Sequence, residues 1–200
     1  MSVDIDSLLI QATLAQSEVD ALLLGGGWLS AIAPLEGAVC CAAHLAGGGS
    51  YIYVELLAPR PIEIGVLAAV EQAFKRQCPS ATSVNVSRLE KVFDKKGHSH
   101  DQHAHFEYVV ETDPEDGWNE EIANWYDSEH MVGLAAVNGC VHASRFINHD
   151  HGPKFLARYE LVMQSALGSE QWLAVRNTDW SSLCRPHFTN TKRNTFVLNQ

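Results

Sequence analysis

Apolar positions along this chain fall into two kinds of run, short alternating ones and longer ones stepped by three or four residues. In the second half, Ala104 to Glu111 (AHFEYVVE) is rich in aromatic and β-branched residues and predicts a strand. Asp113-Pro114-Glu115-Asp116-Gly117 then supplies turn and helix-start chemistry. From Trp118 to about Val137, Ile122, Trp125, Tyr126, Met131 and Leu134 recur mostly at helical steps, and Glu120 and Glu121 suit the positive end of a helix dipole. Asn138-Gly139 ends that helix and launches a strand from Cys140 to Asn148. The polar stretch 149–153 turns the chain back into Phe155 to Met163, an antiparallel hairpin. A helix from Ser169 to Val175, broken near Asn177-Thr178 and continued to Cys184, leads to a last strand over Asn194 to Leu198.

The first half runs in the same order. Strands are expected over Leu8 to Leu14, Ala38 to Leu45, Tyr51 to Leu57 and Ser83 to Val92, with helices over Ser17 to about Pro34 and Ile62 to Arg76. Gly25-Gly26-Gly27 should break or bend the first helix, since each glycine costs about 1 kcal/mol relative to alanine inside a helix. Gly47-Gly48-Gly49 makes the turn between the middle strands. Both halves therefore read β-α-β-β-α-β, the ferredoxin-like order. Leu35-Glu36-Gly37-Ala38 beside Val137-Asn138-Gly139-Cys140, and Glu55 beside Glu160, support an internal repeat. The expected class is α+β, with tandem ferredoxin-like units over 1–96 and 104–200 and a His-rich linker over 97–103. Each four-stranded sheet would have one face bare of helices, to be covered by the second sheet within the chain or across a homodimer. A space enclosed there would suit a small molecule.

Composition narrows the partners. A 46% hydrophobic and 19% charged chain of 200 residues is globular in character, and a formal net charge of -10 argues against nucleic acid. No stretch reaches the roughly 18 apolar residues of a membrane span. Five cysteines without a C-x-x-C fit a reducing compartment, and the first residues lack the features of a secretory signal, so a cytoplasmic protein is expected.

The stretch Trp125-Tyr126-x-x-Glu129-His130, followed by Asn138-Gly139 and a strand through Arg145-Phe146, resembles the EthD-like branch of the dimeric α/β-barrel superfamily. Asn138 and Cys140 stand where that branch carries proline and phenylalanine. The resemblance covers roughly 104–200, and 1–95 has no W-Y-x-x-E-H equivalent. It implies a pseudo-dimeric barrel whose relatives include cyclases, isomerases, dehydratases, monooxygenases and haem peroxidases.

His130 is the first candidate for catalysis, because an imidazole exchanges protons near neutral pH. Tyr126, four residues earlier, shares its helical face, with Trp125 beside it. Alternation puts His142 and Ser144 on one face of their strand, and Arg158 and Glu160 on one face of the next. Glu107 points away from Phe106, Tyr108 and Val110 and toward the same space. Arg158 either holds a substrate carboxylate or enolate or closes a structural ion pair with Glu160. His187, in Arg185-Pro186-His187-Phe188, sits at a loop end where ligand contacts occur, or is simply solvated.

The histidines at 98, 100, 103 and 105 form a tract that could bind a metal without defined geometry or read simply as linker sequence, and no metal motif or nucleotide-binding glycine motif is present. A haem would require an axial histidine in a large apolar pocket. The expected function is acid–base chemistry on an aromatic or polyketide-like small molecule, with no redox cofactor and no metal. The alternatives are a non-catalytic ligand-binding protein and a structural tandem domain in a larger assembly.

Overall fold

A computed structural model of the chain describes residues 3–25, 27–45 and 47–198. Two compact units emerge. Unit 1 is built from the residues through Lys91, with Asn148–His151 and the chain from Phe196; unit 2 takes Val92–Ile147 and Gly152–Thr195. Neither unit is continuous in sequence.

Unit 1 holds β1 (Ile5–Thr13), α1 (Gln16–Gly25), β2 (Val39–His44), β3 (Gly49–Arg60), α2 (Ile64–Gln77) and most of β4 (Thr82–Lys96). Its strands lie in the order β4-β1-β3-β2, with antiparallel registers such as Ile10 opposite Ile52 and Val86. Leu67, Val70 and Phe74 make the buried face of α2 and meet Leu8, Ile10, Ile52 and Val54 from the sheet. Lys75 and Arg76 occupy its last turn, where cations offset the helix dipole. The first helix stops at Gly25 instead of reaching Pro34. Gly26, the centre of the expected break, lies outside the described residues, and turns carry the chain on through a cis Ala33-Pro34 bond.

Unit 2 contains β5 (Phe106–Pro114), α3 (Asn119–Trp125), α4 (Met131–Ala135), most of β6 (Cys140–Asn148), β7 (Phe155–Leu161), α5 (Glu170–Arg176), α6 (Asp179–Cys184) and most of β8 (Phe188–Leu198). The strand order is β8-β5-β7-β6. The register aligns Tyr108 with Tyr159 and Val110 with Ala157 on the helix-covered face, and Glu107 with Glu160 on the other. Gly139, at φ +91, makes the sharp exit from α4 that the sequence anticipates. Thr178 caps α6 by accepting from Ser181 N, which is why the second helical stretch breaks there into two pieces.

Three features depart from a simple repeat of one pattern. The long helix of unit 2 is interrupted by a π turn over Tyr126–His130, its second helix is split, and α1 is short. The segment expected as a linker is hydrogen-bonded to unit 2. Gly97 N donates to Val141 O, His98 N to Ala135 O and Ser99 N to Cys140 O, and Ser99 Oγ accepts from Gly139 N. Gly97 lies so close to the Cys140 carbonyl that a Cβ would fall 2.2 Å from its oxygen. No helix among the described residues is long and apolar enough to cross a membrane.

Candidate functional site

The π turn is where the local sequence departs from a plain helix. Met131 N–H reaches back to Tyr126 O, five residues earlier, so one extra residue is accommodated in the turn. Both ends of the bulge are pinned by side chains. Arg145, from β6, donates through Nε and Nη2 to the Asp127 carboxylate at 2.7 to 3.0 Å. Thr178 Oγ1 donates to Glu129 Oε1 at 2.6 Å. Arg145 is 2% exposed and also lies over the rings of Tyr126 and Phe155.

The widened turn brings three predicted residues together. Trp125 and His130 stack at 4.2 Å between centroids, and Tyr126 meets His130 edge-on at 5.8 Å. All three are buried. Tyr108 and Tyr159 from the sheet, Trp172 from α5 and Phe188 from β8 complete aromatic walls around a cavity of about 30 Å³. That is room for about one water.

Charge at this pocket is one-sided. Arg176 ends α5, Arg185 follows α6 and Arg193 lies in β8, and all three line the opening. Among the described residues none of the three is in an ion pair, and Arg185 Nη1 donates only to the Arg176 carbonyl at 3.4 Å. Three of the other five guanidinium groups have carboxylate partners: Arg88 with Asp150, Arg145 with Asp127, and Arg158 with Glu107 and Glu160. Partial burial and the neighbouring Arg176 and Arg193 push Arg185 below the ordinary guanidinium value. Burial, with smaller contributions from Arg185 and Arg176, lowers His130 to about 3, so the ring is neutral at physiological pH. Burial also raises the Tyr126 phenol above its ordinary value, keeping it protonated. Two buried polar atoms of the pocket residues, Trp125 Nε1 and His130 Nδ1, have no hydrogen-bond partner among the described residues.

The remaining predicted residues lie elsewhere. Glu107, Arg158 and Glu160 form a linked ion pair set on the sheet face opposite the helices, with Arg158 Nε 2.5 Å from Glu107 and Nη2 3.0 Å from Glu160. His142 shares that face and pairs with Asp94 at 3.2 Å. His187 stacks on Trp118 at 3.4 Å and contacts Glu115 at 2.6 Å, outside the pocket lining. Among the described residues no group of three or more His, Cys, Asp or Glu is placed to hold a metal.

The arginines and Tyr159 were missed as site residues because they converge from four separate elements. The alternation of β5 and β7 does place Tyr108 and Tyr159 toward the helices, which is the one sequence signal for these walls.

A larger cavity, about 450 Å³, lies in unit 1 under α1 and is lined by apolar residues such as Trp28, Leu29, Leu35 and Val39, with Cys40 beside them. Burial pushes the Cys40 thiol up to about 11, so it is an unreactive wall. Charged orienting groups are found at the pocket of unit 2 and not at this cavity, which makes unit 2 the candidate site.

Fold and pocket together define a ferredoxin-like α+β protein with an aromatic cleft between helices and sheet. Solved structures share that fold. An anthrone oxidase-like protein aligns over 100% of this chain and 94% of its own, with a TM-score of 0.64 and 12% identity. A proposed monooxygenase from Lactobacillus acidophilus NCFM aligns over 99% and 95%, with a TM-score of 0.63 and 14% identity. A ferredoxin fold protein from Listeria monocytogenes 4b F2365, related to antibiotic biosynthesis monooxygenases, aligns over 98% and 96%, with a TM-score of 0.56 and 7% identity. Identities of this order speak for the fold alone. No family model and no curated protein matches the chain.

Proposed function

We propose that this chain acts on an aromatic or polyketide-like small molecule in the helix–sheet pocket of unit 2, by acid–base chemistry of the cyclase, isomerase or dehydratase kind. The observation that carries the reading is the convergence on one aromatic-walled cleft of three arginines that, among the described residues, have no carboxylate partner, beside the buried rings of Trp125, Tyr126 and His130. Reactions of this kind move a proton from a carbon next to a carbonyl and leave an enolate oxygen. Guanidinium groups stabilise that charge best where water is excluded. In this reading His130 takes the proton, Tyr126 donates a hydrogen bond to the oxygen, and Trp125 stacks on the substrate ring. Arg158, Glu160, Glu107 and His142 then stiffen the sheet that carries Tyr108 and Tyr159, and His187 steadies the segment leading to Phe188.

The EthD-like W-Y-x-x-E-H stretch supports this reading, because its tryptophan, tyrosine and histidine all line the cleft. An occupant the size of one ring needs more than 30 Å³. In this reading the half-buried Arg176 and Arg185 and the exposed Arg193 at the opening move to admit it.

One observation favours a second reading, a non-catalytic binding protein: an imidazole held at about 3 is a weak base. The two readings separate experimentally. Turnover of an identified substrate should fall at least about tenfold in His130→Gln, as removal of an acid–base group does, while tryptophan fluorescence still reports binding. Unchanged turnover removes His130 from the chemistry. Binding without any turnover in the wild type establishes the non-catalytic reading.

A further inference from the structure

We infer that the molecule bound in the unit 2 cleft carries a compact planar oxyanion, a carboxylate, phenolate or enolate, and that Arg176 and Arg185 read this charge. The inference rests on the reading of this cleft as a small-molecule site and deepens it by naming what the site selects.

Its first basis is charge geometry. Three cations share one opening in a protein whose formal net charge is -10, so they are not explained by a generally basic surface. They come from α5, the segment after α6, and β8, and no acidic side chain is among the residues lining the cleft. Like charges gathered at a partly buried opening repel one another, and an arrangement of this kind is stabilised when an anion enters. A planar guanidinium matches a planar oxyanion with two parallel hydrogen bonds, which an ammonium cannot do.

The second basis is independent of charge. Trp125 Nε1 is buried, donates only, and has no partner, and His130 Nδ1 is buried without a partner on a residue 8% exposed. Buried polar atoms are normally paired, and these two belong to residues that line the cleft. Trp125 Nε1 requires an acceptor, which an oxyanion or carbonyl oxygen supplies. Aromatic walls on several sides set the shape of the rest: a flat apolar ring.

Matched probes test it. Tryptophan fluorescence of the full chain is titrated with 2-naphthoate and with its neutral isostere 2-naphthamide, then repeated with Arg185→Gln and the Arg176→Gln, Arg185→Gln pair. Both arginines are half-buried side chains without carboxylate partners, so circular dichroism should show the variants folded. The expected result is naphthoate affinity at least about tenfold above that of the amide. That preference should shrink to within threefold in the double variant and weaken in 1 M salt. Equal affinity for both probes in the wild type overturns the oxyanion inference while leaving an aromatic pocket. A preference that survives the double variant also overturns it, because other groups then read the charge. Absence of saturable binding by either probe overturns the small-molecule reading itself and this inference with it.

Discussion

His130 illustrates how a single side chain changes meaning between sequence and structure. As a residue type it is a proton shuttle near neutral pH; stacked on Trp125 and buried, it is a neutral ring. Its value falls from 6.5 to about 3, so the unfolded chain binds one more proton than the folded protein between those limits. Stability is therefore fully present above pH 6.5 and is lost as pH falls toward 3. One proton contributes a slope of up to about 1.4 kcal/mol per pH unit. Urea midpoints measured from pH 7 to pH 4 should fall more steeply for the wild type than for His130→Gln. Parallel pH profiles would show that His130 is not the buried neutral group described here. The sequence does reveal Trp125, Tyr126 and His130 as a cluster, because their spacing lies within one helical segment. It does not reveal Arg176, Arg185 and Arg193, because a charge cluster assembled from three elements has no local spacing.

At the level of elements, the π turn is the feature that sequence periodicity does not disclose. The apolar steps from Ile122 to Leu134 suit a helix except for the five residues from Tyr126 to Met131, and one irregular step does not by itself mark a bulge. The bulge is held by Asp127 on one side and Glu129 on the other, so it should relax when either tie is cut. Asp127→Ala leaves Arg145 buried without its carboxylate and should destabilise the protein by roughly 1.5–3 kcal/mol, since hydrogen bonds to charged groups contribute on that scale. It should also weaken ligand binding, although Asp127 does not line the cleft. Thr178→Val removes both the α6 cap and the bond to Glu129 and should cost about 1–2 kcal/mol in chemical denaturation. If Asp127→Ala lowered stability with no change in ligand affinity, the turn would be shown not to position the site.

For the molecule as a whole, most strands and the amphipathic α2 follow from alternation and helical steps, and the class, ferredoxin-like α+β, is legible from their order. Less legible is where the chain divides. Composition marks 97–103 as polar and His-rich, yet Gly97 and Ser99 are bonded into unit 2, where backbone contacts rather than side-chain polarity decide the packing. Gly97→Ala drives a Cβ into the Cys140 carbonyl and should lower stability by more than about 2 kcal/mol, in the range that overpacking costs. A free tether would tolerate the same change with no loss in a thermal melt.

The direct test of the central claim, that the arginine-lined aromatic cleft of unit 2 is the ligand site, is a crystal structure grown with saturating 2-naphthoate. The account predicts the ring against Trp125 and Tyr126, with its carboxylate within hydrogen-bonding distance of Arg176 and Arg185. A cleft unchanged at saturating probe, or naphthoate seated in the apolar cavity of unit 1 instead, would contradict it.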